Sequence, residues 1–243
     1  MSSLVRWIDR TFYSDYESKW DEKLLRDCML KVLTPESRLL DLGAGRGALP
    51  QTNYKDHCAF VAGVDPDPAV LTNPHRHDAK VQEAPDYLIP YPDESFNVVV
   101  SNSVIEHIRD PNAFFAEVNR VLTPGGIFVA KTPNLFHYMP TVARFTPHWF
   151  HAFYNKLRGR EEEDTFPTTY PCNGKGKVAK TAKASGFDVV KIDIIEGRPE
   201  YMRLTAATYF CGLAYERFVN LSPIFESFRI VMIFHVRKIG PPS

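Results

Sequence analysis

Short unbroken apolar runs alternate along this chain with amphipathic stretches of helical period. RLLDLG (38–43), AFVAGVD (59–65), FNVVVSN (96–102) and GIFVAKTPN (126–134) lack polar alternation, so each predicts a strand buried on both faces. Residues 15–33 place Trp20, Leu24, Leu25, Cys28, Met29, Val32 and Leu33 on one helical face, and Thr34-Pro35 ends that helix. Between the last two runs, Asp110 is placed to cap a helix with Pro111 in its first turn and Phe114, Phe115, Val118, Val121 and Leu122 turned inward; Thr123-Pro124-Gly125-Gly126 stops it. Strands interleaved with helices imply an α/β fold around a parallel sheet covered on both faces.

The later chain predicts a strand over 187–195, a helix over 204–220 carrying Leu204, Tyr209, Leu213, Phe218 and Val219, and a last strand over 229–238. Residues 134–173, dense in aromatics and proline, are too long for a simple connection. They read as an insertion that is either a lid over the mouth of a site or a structural cap that allows a homodimer. Phe145, Trp149, Phe150, Phe153 and Tyr154 have near-helical spacing there and read as packing before they read as a substrate box. The whole is expected to be a single domain, with 1–35 as an N-terminal helical cap.

Composition narrows the class. Of 243 residues 44% are hydrophobic and 24% charged, and Lys plus Arg equal Asp plus Glu at 29 each. No broad basic surface for nucleic acid is implied. Cys28, Cys58, Cys172 and Cys211 show no CxxC pair or metal-ligand spacing, as expected for reduced thiols. SSLVRWIDR lacks a signal-peptide apolar core, and FRIVMIFHV is about half the length of a membrane helix. A cytoplasmic protein without membrane insertion is expected.

The candidate chemistry lies in LLDLGAGRG (39–47), where Gly43, Gly45 and Gly47 crowd behind the first strand. Flexible residues there let the backbone turn tightly or lie against a ligand, and ligands of open parallel sheets sit at the carboxyl ends of the strands. Asp65 ends the next strand, where a carboxylate can accept both hydroxyls of a ribose. The spacing is GxGxG rather than GxGxxG, and Asp41 precedes the turn; such an acid repels a pyrophosphate and suits a cationic ligand. Pro50 lies just after the turn, where it removes a donor and clashes with a preceding turn, so any helix that starts there is short or distorted.

LLDLGAGRG, GVDPDPAVL and IPYPDESFNVVVSNSVIEHIRDPNAFFAEVNRVLTPGGIFVAKTPN, in that order, resemble the class I S-adenosylmethionine-dependent methyltransferases, above all those acting on quinones, sugars and natural products. The likeness covers about residues 36–135. It implies a Rossmann-like, seven-stranded, mostly parallel sheet with an antiparallel last strand inserted beside 187–195, helices on both faces and an insertion after the fifth strand. The implied cofactor is S-adenosyl-L-methionine. Asp41 would orient its methionine ammonium, and Gly43, Ala44 and Gly45 would contact the methionine portion. Asp65 would hold the ribose hydroxyls, Pro66 or Asp67 would line the adenine, and Glu83 and Ala84 lie where the family contacts the adenine amino group. Ser101 and Asn102 would end beside the reactive methyl, with Glu106 and His107 following.

The candidate general bases are His107, early in the EHI element, and His137, His148 and His151 in the insertion. Each histidine has a plainer reading as packing or capping. His148 and His151 are spaced as a metal pair but lack an obvious acid or cysteine partner, so no metal is expected. Tyr13 and Tyr16 either fold over the cofactor or form a packed aromatic hinge. The expected activity is methyl transfer to a small-molecule acceptor, at a hydroxyl of a sugar or natural product. The alternatives are a catalytically silent binding or scaffold protein that keeps the fold, or a protein or RNA methyltransferase.

Overall fold

A computed structural model describes residues 2–16, 19–82, 87–145 and 170–240. β1 (Arg38–Leu42) runs parallel between β2 (Phe60–Asp65) and β4 (Phe96–Asn102), with Asp41 opposite Gly63 and Leu42 opposite Ser101. β3 (Asp78–Val81) pairs parallel outside β2, and β5 (Leu122–Pro133) pairs parallel with β4. With β6 (Phe187–Ile195) and β7 (Val231–Lys238) the sheet order is β3-β2-β1-β4-β5-β7-β6, mostly parallel with the last strands antiparallel. β1, β2 and β4 are buried almost throughout, the environment their unbroken apolar runs demand.

The local signals act where the sequence puts them. Asp110 Oδ1 accepts the Asn112 and Ala113 amides and starts α3 (Pro111–Val121). Phe115 of α3 packs among Phe128 of β5, Phe187 of β6 and Phe234 of β7, with ring centroids 5.6–6.2 Å apart. The expected helix stop at Thr123–Gly126 does more than stop a helix. It becomes a bulge in β5, since Leu122 faces Phe96 and the next partners are Ile127 and Val98. After Gly47 no α-helix forms. Pro50 instead opens one of two 3₁₀ turns, Pro50–Thr52 and Lys55–His57, and Arg26 holds the segment by donating to the Gln51 and Asn53 carbonyls at 2.8 and 2.7 Å.

Two expectations are corrected. The helix expected over 15–33 is α2 (Trp20–Leu30), and a separate helix, α1 (Ser3–Phe12), precedes it, capped by Ser2. α4 (Tyr138–Phe145) opens the long insertion, α5 (Lys175–Ala184) follows it, and α6 (Ala206–Asn220) starts from a capping box between Thr205 and Thr208. The inward face of α6 is Tyr209, Gly212, Glu216 and Val219, whereas Leu204 and Phe218 are exposed.

The chain divides into two compact units. One comprises Glu22–Thr132, Thr169–Asp193 and Met232–Ser243 and holds most of the sheet; the other comprises Met1–Asp21, Pro133–Thr168 and Ile194–Val231. In the second unit, Val5, Ile8 and Tyr13 form a small core with Tyr209, and the Tyr13 and Tyr209 rings stack 5.9 Å apart. Its polar groups are also internal. Tyr13 donates to Glu216 at 3.1 Å, Tyr209 to Asp9 at 2.7 Å, and Arg203 to Asp9 at 2.8 Å.

Candidate functional site

The turn behind β1 has three glycines with φ of +76° (Gly43), +49° (Gly45) and +78° (Gly47), a region that side chains with a Cβ seldom adopt. The surroundings separate them. A Cβ on Gly43 would lie 2.2 Å from Val104 Cγ2, and one on Gly47 would lie 2.5 Å from Asn73 Oδ1. Both therefore serve packing. At Gly45 the nearest atom to such a Cβ is Asp65 Oδ2, at 4.0 Å, so this stretch of backbone is open to close approach. Asn73, which the sequence pattern did not single out, fixes the turn by donating to the Ala44 and Gly45 carbonyls at 2.9 and 3.0 Å.

Asp65 ends β2 across from that opening. Its two oxygens accept the Gly45 and Asp67 amides, each at 2.8 Å, and a carboxylate with about four lone-pair sites keeps two for other donors. Burial pushes its pKa up, while the two amides pull it down. Pro66 is exposed, and Asp67 caps the turn Pro68–Thr72 through the Ala69 amide.

Asp41 is placed differently from an open ligand contact. Its carboxylate is bonded to Arg76, and both residues are buried. Arg76 also donates to the Thr52 and His75 carbonyls at 3.0 and 2.8 Å. A side chain on Gly63 would lie 3.0 Å from Arg76 Cγ, so that glycine lets the guanidinium reach across β2. Burial pushes the Asp41 carboxyl up, and Arg76 opposes the shift.

At the ends of β4 and β5 the polar groups form two chains. Glu22 takes Asn102 Nδ2 at 2.6 Å on one oxygen and Lys131 Nζ at 2.7 Å on the other. Asn173 donates to Thr132 at 2.6 Å, and Thr132 donates to Glu106 at 2.8 Å; burial pushes the Glu106 carboxyl up. Ser101 Oγ is buried with no hydrogen-bond partner among the described residues. His107 is half-buried in the turn Ile105–His107, directly after Glu106. Glu22, Lys131, Thr132 and Asn173 carried no local signal, because each acquires its partner only when distant segments meet.

The remaining candidates belong to the second unit or lie outside the described residues. His137 is buried in the second unit between the Tyr138 and Tyr215 rings. Its Nδ1 accepts the Met139 amide at 3.2 Å, which puts the proton on Nε2, 3.5 Å from Glu196. Proximity alone would make this an ion pair. Burial instead lowers the imidazole to about 3 and raises the Glu196 carboxyl to about 8, so both are neutral near pH 7. Tyr13 is committed to Glu216, and burial raises both its hydroxyl and that of Tyr16. His148, His151, Glu83 and Ala84 lie outside the described residues. Among the described residues no cluster of His, Cys, Asp and Glu could hold a metal ion.

The open backbone at Gly45, the spare acceptor sites of Asp65 and the unpartnered Ser101 hydroxyl suit a ligand with a diol and a polar tail. S-adenosylmethionine has both, so these residues fit it.

Residues 40–130 match the family model of the methyltransferase domain. The chain is 34% identical over 102 residues to a ubiquinone biosynthesis O-methyltransferase of Bradyrhizobium, covering 40% of each protein. It is 29% identical over 147 residues to a 2-methyl-6-phytyl-1,4-hydroquinone methyltransferase of Synechocystis, covering 55% of this chain and 46% of that one. The chain thus spans less than half the length of these relatives. A Methanosarcina mazei structure described as a SAM-dependent methyltransferase superposes with a TM-score of 0.56 at 15% identity, over 88% of this chain and 98% of the other; at that identity the likeness shows the fold.

Proposed function

We propose, from the premise that residues 40–130 form a class I S-adenosylmethionine-dependent methyltransferase domain, that this protein methylates a hydroxyl of a small molecule such as a sugar or natural product. The observation that carries the cofactor half is the pairing of Asp65 with the open backbone at Gly45, 2.8 Å from amide to carboxylate. The name of the ubiquinone biosynthesis O-methyltransferase supports a hydroxyl acceptor, and that of the hydroquinone methyltransferase supports a small-molecule one.

When bound, the cofactor supplies a methyl group already activated on a sulfonium. The work left to the chain is placement, and ideal orientation is worth about 7–11 kcal/mol. In this reading Asp65 holds the ribose diol and the turn at Gly43, Ala44 and Gly45 faces the methionine portion. Pro66 or Asp67 borders the adenine, with Glu83 and Ala84 near its amino group. Asp41 acts at one remove, since its carboxylate is held by Arg76. Ser101 and Asn102 border the reacting end, and Glu22 fixes the Asn102 amide.

His107 takes the acceptor proton. A base in that role adds roughly 10²–10⁴-fold. The Glu106–Thr132–Asn173 chain holds the turn that carries it. Both units would belong to one methyltransferase, residues 134–173 acting as the lid. His148 and His151, as lid residues, are the remaining contacts to an acceptor.

The test is incorporation of labelled methyl groups by the purified chain. Label should enter catechols, hydroquinones or sugars, and not protein or RNA. Label in protein or RNA alone would establish the macromolecular reading. Cofactor binding without transfer to any acceptor would establish the silent scaffold.

A further inference from the structure

We infer that the outward faces of α1 and α6 form a docking surface for a lipid bilayer with anionic headgroups. The inference does not depend on the methyl acceptor.

α6 is built inside out. Its inward face holds Tyr209, Gly212, Glu216 and Val219, with Ala206 and Leu213 partly buried beside them. Its outward row is Ala207, Phe210, Ala214, Phe218 and Leu221, all exposed and spaced three or four residues apart. The row continues into the turn Pro223–Phe228, where Phe225 packs on Phe218 with centroids 4.5 Å apart and Ile224 projects outward. Leu221 is 76% exposed and Ile224 78%. An exposed apolar row of this length is normally covered by protein or lipid.

α1, which packs on α6 through Val5, Ile8, Tyr13 and Tyr209, repeats the arrangement. Leu4, Trp7 and Phe12 are exposed, and the Trp7 and Phe12 rings meet at 6.0 Å. Tryptophan and arginine beside an apolar row are the side chains that settle at a membrane–water boundary.

Charge selects the occupant. α1 and α6 each carry one acid, and both point inward. Asp9 is held by Arg203 and Tyr209, and Glu216 by Tyr13, Asn220 and Arg217. Glu226, in the turn after α6, is half-buried. The exposed charges of the two helices are Arg6, Arg10 and Arg217; the last lies 3.4 Å from Glu216, so the basic edge of the apolar face is the arginine pair of α1. A second copy of the same face would bring these arginines together. An anionic bilayer complements both features. No helix among the described residues is long and apolar enough to cross a membrane, so the attachment is peripheral.

The test is co-sedimentation of the full chain with phosphatidylcholine vesicles, with and without phosphatidylglycerol. Binding should require the anionic lipid, weaken with added salt, and fall at least about tenfold in Arg6→Glu/Arg10→Glu, since each arginine lost is worth several-fold. Leu221→Ser/Ile224→Ser should abolish binding without lowering the melting temperature, because both side chains are exposed. No sedimentation with anionic vesicles overturns the inference, as does equal binding to both vesicle types. A dimer that Leu221→Ser/Ile224→Ser dissociates, together with no vesicle binding, assigns the face to a second copy and also overturns it.

Discussion

Arg76, in the connection between β2 and β3, closes over Asp41 of β1, both side chains at most 4% exposed. The acid that precedes the glycine turn is therefore satisfied by the protein itself. Its work is to hold the β1 end and the 73–76 segment together beneath the turn.

Removing one member of this pair should unfold the chain more readily. Asp41→Asn or Arg76→Met leaves an uncompensated buried charge or its partner unpaired, a loss of about 3–5 kcal/mol. The double variant Asp41→Leu/Arg76→Met should recover much of it. Chemical denaturation of the four proteins checks this; a single variant as stable as wild type would refute the structural role.

Asp65→Ala should act on binding. The carboxylate is expected to lend two charge-assisted hydrogen bonds to the ribose, each worth about 1.5–3 kcal/mol. The dissociation constant for S-adenosylmethionine, read by isothermal titration, should rise at least about a hundredfold. Asp65→Asn should fall between the two, since it keeps an acceptor for the Gly45 amide.

Gly43→Ala should be disabled for two separable reasons. The left-handed backbone costs roughly 1–2 kcal/mol for a residue with a Cβ, and the new methyl would meet Val104 at 2.2 Å. Adding Val104→Ala should relieve only the contact. Melting temperatures should rank Gly43→Ala below the double variant, with wild type highest. No rescue would show that the Val104 contact is not limiting.

The stability of the second unit should fall between about pH 6.5 and 8. Glu196 titrates near 8 in the folded chain and near 4.3 when unfolded. The folded state therefore holds the extra proton in that window, and stability drops as pH rises, by at most about 1.4 kcal/mol per unit. His137 has the opposite sign. Its folded value is about 3 against an unfolded value near 6.5, so it favours folding as pH rises to 6.5 and offsets Glu196 between about 4.5 and 6.5. Glu196→Gln should abolish the loss above pH 6.5 in thermal melts taken across the range.

Sequence alone determined what depends on neighbours along the chain. The buried strands follow from unbroken apolar runs, α3 from its Asp110-Pro111 start, the failed first helix from Pro50, and the turn at Gly43–Gly47 from residues that tolerate positive φ. The cofactor class was legible for the same reason, since its elements lie within one stretch in order. Tertiary structure decided what depends on partners far apart. Asp41 meets Arg76 across 35 positions, Glu22 meets Lys131 across 109, and Tyr13 meets Glu216 across 203. The inward face of α6 belongs to this second group. Helical period marks Phe218 and Glu216 as lying on different sides, but it does not say which side is inside. The answer came from Tyr13, which offers Glu216 a buried hydrogen bond and so turns the apolar row outward.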